Sequence, residues 1–465
     1  MIGTVQQSQF SPGARLHHNG GLPLRRRISE AVIIRPARAA AALFVVSISV
    51  FTVLLAAPFS AADNTATPVV DAAVTATSAV TVTGLTSLPT GEHFSLTGQL
   101  IILTAIQLGG LGIVTLGAWL TMLLSRRLAL RSKMLSIESM GVSGIGEVPA
   151  LLITVVVFTL SIEAVLFAVM LPAFIGQLGV GQGIYHAVFY AVSAFSNAGF
   201  SLSPDTLQDP LIMSTINIGA FAGALGFPVV YMLYRMVFFR DRMNLHTRLT
   251  LEVTLILLLG GAALLAVFEW QNPATLGPMD TADKLHNALF ASGMTRSGGF
   301  NTFEITDQTD QSILVTDVLM FIGGGAGSTA GGIKVTTLAV LLLSILAEIR
   351  GEEHIHIHRR EIPITTVRVA VAVVAGGALV VLTAVVALIT VTGEPLETTV
   401  FEALSAFGTV GLSTGLTASA PDAGKWILAL LMFIGRVGTI TFAASLAARQ
   451  KPTRFRFPTE RPIIG

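Results

Sequence analysis

The chain has no cysteine, and only 12% of its 465 residues carry charge. The first absence excludes disulfides, iron–sulfur clusters and cysteine-based zinc sites. The second separates it from soluble domains, where roughly a quarter of residues are charged. No HExxH pair of metal-binding histidines occurs, and no G-x-S-x-G nucleophile elbow is expected, so the chain is not read as an enzyme. What fills the chain instead is 52% hydrophobic residues, the composition of an integral membrane protein whose first partner is the lipid bilayer. The net charge of +1 is segregated along the chain rather than gathered in a patch, so nothing points to nucleic acid.

A spanning helix needs about 20 mostly apolar residues. Eight runs are candidates: Ala39–Ala62, Phe94–Ser125, Val148–Ile175, Leu211–Tyr234, Leu249–Phe268, Gln311–Ile333 continuing to Leu346, Val369–Gly393 and Trp426–Ala448. The second is too long for one plain span and is expected to tilt or kink at Gly109, Gly110 and Gly112. Arginine and lysine gather before the first run, after the second, between the fourth and fifth, between the sixth and seventh, and after the eighth. Every second connection is thus basic, which places those connections and both termini in the cytoplasm. The opposite connections are mostly acidic, with Asp205, Asp209, Asp280, Asp283, Glu394 and Asp422 among their charges, and an acidic outer face favours cations at its entrance. Arg25–Arg27, an apolar run and Ser60-Ala61-Ala62 also fit a signal peptide. The run is longer than a usual signal core, however, and its removal would break the charge alternation. The resulting division is a basic cytoplasmic arm (1–34), four repeats (35–128, 129–242, 243–350 and 351–450) and a cytoplasmic tail (451–465).

The repeats show in the outer connections. Each holds a semi-apolar segment too short to span, ending in glycine and a large apolar residue: "DAAVTATSAVTVTGL" (Asp71–Leu85), "HAVFYAVSAFSNAGF" (His186–Phe200), "HNALFASGMTRSGGF" (His286–Phe300) and "TVFEALSAFGTVGL" (Thr399–Leu412). Aligned on Gly84, Gly199, Gly299 and Gly411, they also match at Ser78, Ser193, Gly293 and Ser405, and at Asp71, His186, His286 and Thr398. Recurrence at near-regular intervals indicates a repeat architecture. The unit is an outer helix, a short re-entrant helix, an extended turn and an inner helix. Non-helical backbone at membrane depth is tolerated where it is buried in protein or lines a wet cavity. Four such stretches meeting on one axis can turn carbonyl oxygens inward and replace the hydration shell of an alkali cation. The candidate ion-binding residues are Val82, Thr83, Gly84, Asn197, Ala198, Gly199, Ser297, Gly298, Gly299, Thr409, Val410 and Gly411. The short helices would aim their partly negative C-termini at the same axis.

With "TATSAVTVTGL", "SAFSNAGF", "TRSGGFNT", "GGGAGSTAGGIKV", "SAFGTVGLSTG" and "GRVGTITF", the sequence resembles the membrane subunits of the Trk/Ktr/HKT superfamily of potassium transporters over about residues 35–450. It is most similar to the bacterial KtrB type. The resemblance implies an all-α polytopic membrane protein with four repeats of outer helix, re-entrant pore helix with filter loop, and inner helix around one central pore. It implies potassium uptake across a bacterial plasma membrane, often with sodium dependence, through a filter built on Gly84, Gly199, Gly299 and Gly411. Glycine at position 84, where sodium-preferring plant relatives carry serine, implies potassium preference. It also implies a homodimer seated on a cytosolic, nucleotide-binding regulatory ring of the KtrA type. No bound cofactor is implied; potassium is the substrate, with sodium as coupling or activating ion.

The sixth apolar run is interrupted by Gly323, Gly324, Gly325, Ala326, Gly327, Ser328, Thr329, Ala330, Gly331, Gly332, Ile333 and Lys334, a composition that does not hold a regular helix. It is not a phosphate-binding loop, because Gly332-Ile333-Lys334-Val335 lacks the Gly-Lys-Ser/Thr ending. The resemblance implies an intramembrane gating loop below the filter. Arg436, inside the eighth run, is costly in a membrane and is expected to face a cavity or a partner. The resemblance implies a barrier to permeation there, and an ion pair with Glu402 is the alternative. Glu163 is read as a buried hydrogen-bond partner or dimer contact, and Asp317 as an outer-end residue of no special role. Arg296 is expected to brace the third filter segment from behind. His354, His356 and His358 would share one face if extended; a hairpin touching the regulatory subunits is favoured over a zinc site. The competing reading is an alternating-access transporter with broken helices, against which four same-sense repeats argue.

Overall fold

The computed structural model describes residues 36–112 and 147–438. The basic arm, the end of the Phe94–Ser125 run, the connection after it, the end of the eighth run and the tail lie outside the described residues.

Helix α1 (Pro36–Ala56) leads to the short α2 (Val69–Thr81) and on to α3 (Leu96–Gly112). The same order follows with α4 (Glu147–Leu178), α5 (Val180–Ser196) and α6 (Pro210–Leu225), which continues as α7 (Phe227–Phe239). Next come α8 (Leu245–Glu269), α9 (Thr281–Met294) and α10 (Asp310–Phe321), resumed as α11 (Val335–Ile349). Last are α12 (Ile364–Thr392), α13 (Leu396–Gly408) and α14 (Asp422–Phe433). Side-chain caps start several of these: Asp209 accepts from Leu211 N at 2.8 Å, and Asn244 from Thr247 N at 2.8 Å, each satisfying an orphan first-turn amide.

The long helices lie outside and the short ones inside. Every residue of α2 from Ala72 to Thr81 is buried, whereas Val157, Val165, Ile256, Leu259, Leu379 and Leu382 on α4, α8 and α12 are exposed. An apolar exterior around a helical interior is the arrangement a bilayer demands, since helices satisfy their own backbone groups. Among the described residues, Val155–Leu178, Leu245–Glu269 and Ile364–Thr392 are each long and apolar enough to cross a membrane.

One expected single span is broken, and the sixth run breaks where its glycines predict. Leu211–Tyr234 forms two helices bent by 98° at Gly226, whose φ of +89° a side chain rarely adopts. Pro228 has no amide to donate to the Ala224 carbonyl, which accepts from Gly325 N at 2.8 Å instead. The sixth run stops as helix at Phe321. Likewise, α14 passes into a π turn at Ile434–Gly438, a widened turn common where a helix is bent or functional.

A small hairpin joins α11 to α12. Strands β1 (Ile355–Ile357) and β2 (Arg360–Ile362) pair antiparallel, with Ile355 opposite Ile362. Both isoleucines pack with Val340, Ala347 and Val367. The favoured hairpin forms, and the three histidines do not share one face, because His358 lies in the turn at φ +48°. Its Nε2 is 2.9 Å from Glu252 Oε2, while His354 Nδ1 is 3.1 Å from Glu361 Oε1.

Candidate ion-conducting site

Each short helix ends in the same backbone gesture. The residue after α2, α5 and α13 is left-handed: Val82, Asn197 and Thr409, with φ of 55°, 59° and 47°. Its amide bonds three residues back, and the next amide reaches five back: Thr83 N to Ser78 O, Ala198 N to Ser193 O and Val410 N to Ser405 O, each at 2.8 Å. This paired closure satisfies the carbonyls that a helix end leaves open. The third segment reaches the same shape by another route. Gly298 N and Gly299 N both bond Met294 O, at 3.0 and 3.2 Å, and Ser297 has φ +76°. Two residues further on, Gly84, Gly199, Gly299 and Gly411 have φ of 97°, 67°, 74° and 98°.

These glycines meet one another in ring order. A Cβ built on Gly84 would lie 2.6 Å from Ala198 O, 3.1 Å from Gly199 Cα and 3.2 Å from Gly411 Cα. On Gly199 it would lie 2.9 Å from Gly299 Cα, and on Gly299 2.5 Å from Val410 O. On Gly411 it would overlap Thr83 O and lie 3.0 Å from Gly84 Cα. Each glycine is therefore obligatory twice, for its φ and for its neighbour's backbone. The anchors behind are Leu85, Phe200, Phe300 and Leu412, all buried. Ser78 Oγ accepts from Gly84 N at 2.9 Å and Ser405 Oγ from Gly411 N at 3.2 Å. Ser193 Oγ donates to Phe200 O at 3.0 Å. At the matching Gly293 a Cβ would collide with the Asn217 side chain.

The loop between α10 and α11 lies against the inner end of these segments. Gly331 N donates to Ser297 Oγ at 3.2 Å, and Asn197 Nδ2 donates to Thr329 Oγ1 at 2.7 Å. Its other side is tied to the bend at Gly226: Thr329 N bonds Gly223 O at 3.2 Å, and Phe227 N bonds Gly327 O at 3.2 Å. Two cations hold its carbonyls. Lys334 Nζ donates to Ala330 O at 2.6 Å, and Arg436 donates to Thr329 O. Arg436 is 1% exposed, and its Nε and Nη2 have no partner among the described residues.

Several expectations are corrected. Glu402 does not pair with Arg436. It is buried in α13 and accepts from Ser413 Oγ at 2.7 Å, from Thr417 N at 3.0 Å and from the Thr417 hydroxyl, so it clamps the descending loop after the fourth segment. Asp317 is not an incidental outer-end residue: it is 8% exposed, with Oδ1 unpartnered among the described residues. The run Gly411–Gly415 spells the G-x-S-x-G of a nucleophile elbow, but its Ser413 is committed to Glu402. Arg296, expected to brace the third segment from behind, is buried, and its Nη1 donates to Thr254 O of α8 at 3.1 Å, which agrees with that expectation. Glu163 is the buried hydrogen-bond partner expected of it, its Oε2 accepting from Gln107 Nε2 at 3.1 Å.

Two features were missed in the sequence. Tyr190 and Glu402 stand at matching places in their repeats, and both clamp the chain beyond the glycine; Tyr190 Oη is 2.8 Å from Ser201 Oγ and accepts from Leu202 N at 3.2 Å. Gly109, Gly223 and Gly435 let the following helices close onto the ends of the short ones, since a Cβ would overlap Val80 O, Phe195 O and Phe407 O in turn. The matching third-repeat glycine is Gly323, where the loop begins. Counted from the filter glycines, Gly223, Gly323 and Gly435 each stand 24 residues on, and Gly109 one residue further.

Comparison with known proteins places this geometry. The TrkH family of cation transport proteins matches residues 28–453. Ktr system potassium uptake protein B of Bacillus subtilis is 37% identical, across 94% of this chain and 99% of its own length. Potassium/sodium uptake protein NtpJ of Enterococcus hirae is 32% identical, across 95% and 98%. The crystal structure of the potassium transporter TrkH from Vibrio parahaemolyticus aligns with a TM-score of 0.69 at 20% identity, covering 95% of this chain and 88% of that one. By its sequence over nearly the whole length, and by a fold shared with a solved relative, this chain belongs to the TrkH family of cation transport proteins.

Proposed function

We propose that this protein takes up potassium through a central pore whose selectivity filter is the four segments ending in Gly84, Gly199, Gly299 and Gly411. The observation that carries the reading is the ring order of those glycines, each occupying space that its neighbour's backbone denies to a side chain. Such a ring presents carbonyl dipoles to a dehydrated cation and no fixed charge. Residues Gly323–Lys334 form the gate beneath it, and Arg436 holds the gate while placing positive charge near the path. The basic connections face the cytoplasm, where the protein sits as a homodimer on a nucleotide-binding regulatory ring, the hairpin 355–362 contributing to that contact. Support for potassium comes from relatives named as potassium uptake proteins. The potassium/sodium relative favours sodium as accompanying ion.

The test is growth of a potassium-uptake-deficient bacterial strain expressing the chain with and without the regulatory partner, wild type against Gly84→Ser. Rescue at low potassium that is lost or shifted toward sodium in the variant supports the reading. Absence of rescue in every combination overturns it.

A further inference from the structure

The first residue of each filter segment is a candidate carbonyl donor, but three of the four also carry polar side chains: Asn197, Ser297 and Thr409. The fourth, Val82, does not. These side chains are buried, at 0% exposure each, and they face the loop. Asn197 Nδ2 donates to Thr329 Oγ1 at 2.7 Å, and that hydroxyl is 3.4 Å from Phe195 O, in the last turn of α5. Ser297 Oγ accepts from Gly331 N at 3.2 Å and donates to Thr409 O at 2.5 Å. A Cβ on Gly331 would overlap the Thr409 hydroxyl. The polar residues therefore stand on the sides where the loop is seated. In the first repeat, the hydroxyl of Thr83 is instead occupied locally, 2.7 Å from Thr81 Oγ1.

We infer that Asn197 and Ser297 are positioning residues that latch the loop directly to the filter, in addition to any role of their carbonyls toward the ion. The inference rests on the reading of Gly323–Lys334 as the gate. One serine hydroxyl joins a filter carbonyl to a loop amide, so the state of the filter's inner end and the position of the loop are linked. Linkage of this kind is reciprocal: whatever loosens the loop's seat changes the filter, and the converse. Arg436 and Lys334 hold the loop's carbonyls; the latch holds its Thr329 hydroxyl and Gly331 amide. Removing one latch bond is therefore a partial release.

The experiment uses the full chain in proteoliposomes and reads tracer rubidium influx. Thr329→Val lies outside the filter and removes the hydroxyl with little change in volume. Loss of the Asn197–Thr329 bond from the closed state raises influx about fivefold. Ser297→Ala raises influx by a similar factor. Asn197→Ala added to Thr329→Val raises it no further, because both remove the same bond. Thr329→Ser keeps the hydroxyl and retains wild-type flux. If Thr329→Val and Ser297→Ala leave influx unchanged while deletion of residues 324–330 raises it, the latch is refuted and the gate stands. If the deletion also leaves influx unchanged, the gate reading fails and the latch with it. Equal rises in Thr329→Ser and Thr329→Val would likewise overturn the latch.

Discussion

Lys425 Nζ lies 2.7 Å from Asp71 Oδ1, with side chains 12% and 13% exposed, and the pair ties α14 back to α2. Asp71 is in the first turn of α2 and Lys425 in the first turn of α14. Similar ties join neighbouring repeats: Tyr185 Oη donates to Gln99 Oε1 at 2.7 Å, and Ser214 Oγ is 2.9 Å from His286 Nε2. Lys425→Ala leaves a largely buried carboxylate unpaired, and the expected loss of stability is about 1–3 kcal/mol. A thermal-shift measurement in detergent checks this. The exchanged pair Asp71→Lys with Lys425→Asp should recover most of the loss, and an unaltered melting temperature in the single variant would show the pair to be solvated.

Gly299→Ala should abolish transport more completely than Gly84→Ser alters selectivity. The added methyl would lie 2.5 Å from Val410 O and 2.8 Å from Gly199 Cα, at a φ of +74° that alanine occupies at a cost of about 1–2 kcal/mol. Potassium influx measured alongside protein yield separates a blocked ring from an unfolded one.

Glu402→Gln removes one of the two acceptor oxygens that hold Ser413, Thr414 and Thr417. A stability loss of about 1–3 kcal/mol is expected, from a donor left without its acceptor. The loop after the fourth segment should become more protease-sensitive than in wild type. Cleavage mapped by mass spectrometry to other sites alone would count against the clamp.

Deletion of residues 324–330 should raise potassium flux, and Arg436→Gln should change it by releasing the loop's Thr329 carbonyl and removing a buried positive charge. Initial uptake rates at saturating potassium are the measurement. A rate unchanged in both variants would reduce the loop and the arginine to packing roles.

The inner elements were legible because glycine, left-handed backbone and a following large apolar residue leave a pattern in the letters. Residues 71–85, 186–200, 286–300 and 399–412 align by eye, and the structure places their glycines side by side. The breaks in the inner runs were harder. Leu211–Tyr234 carries no charged residue, and its 98° bend depends on Gly226 yielding to the loop that follows α10, a long-range contact that hydropathy does not register. The partners of Glu402 and the burial of Asp317 were missed for the same reason. A buried carboxylate advertises its need for a partner, but spacing along the chain does not say which donors reach it.

The loop from Gly323 to Lys334 belongs to one repeat, and among the described residues no other repeat carries its like. A ring assembled from four identical chains must order four copies of any occluding segment, each losing backbone freedom of roughly 1–2 kcal/mol per residue fixed. Here one segment is ordered against three unlike walls, offering Asn197, Ser297 and Thr409. The ordering entropy is borne once, and the three contacts can be altered one at a time without touching the fourth side at Val82. On the proposed reading of the loop as a gate, unequal quarters in a single chain would let closed and open forms lie close in free energy, adjustable by single substitutions rather than by sets of four.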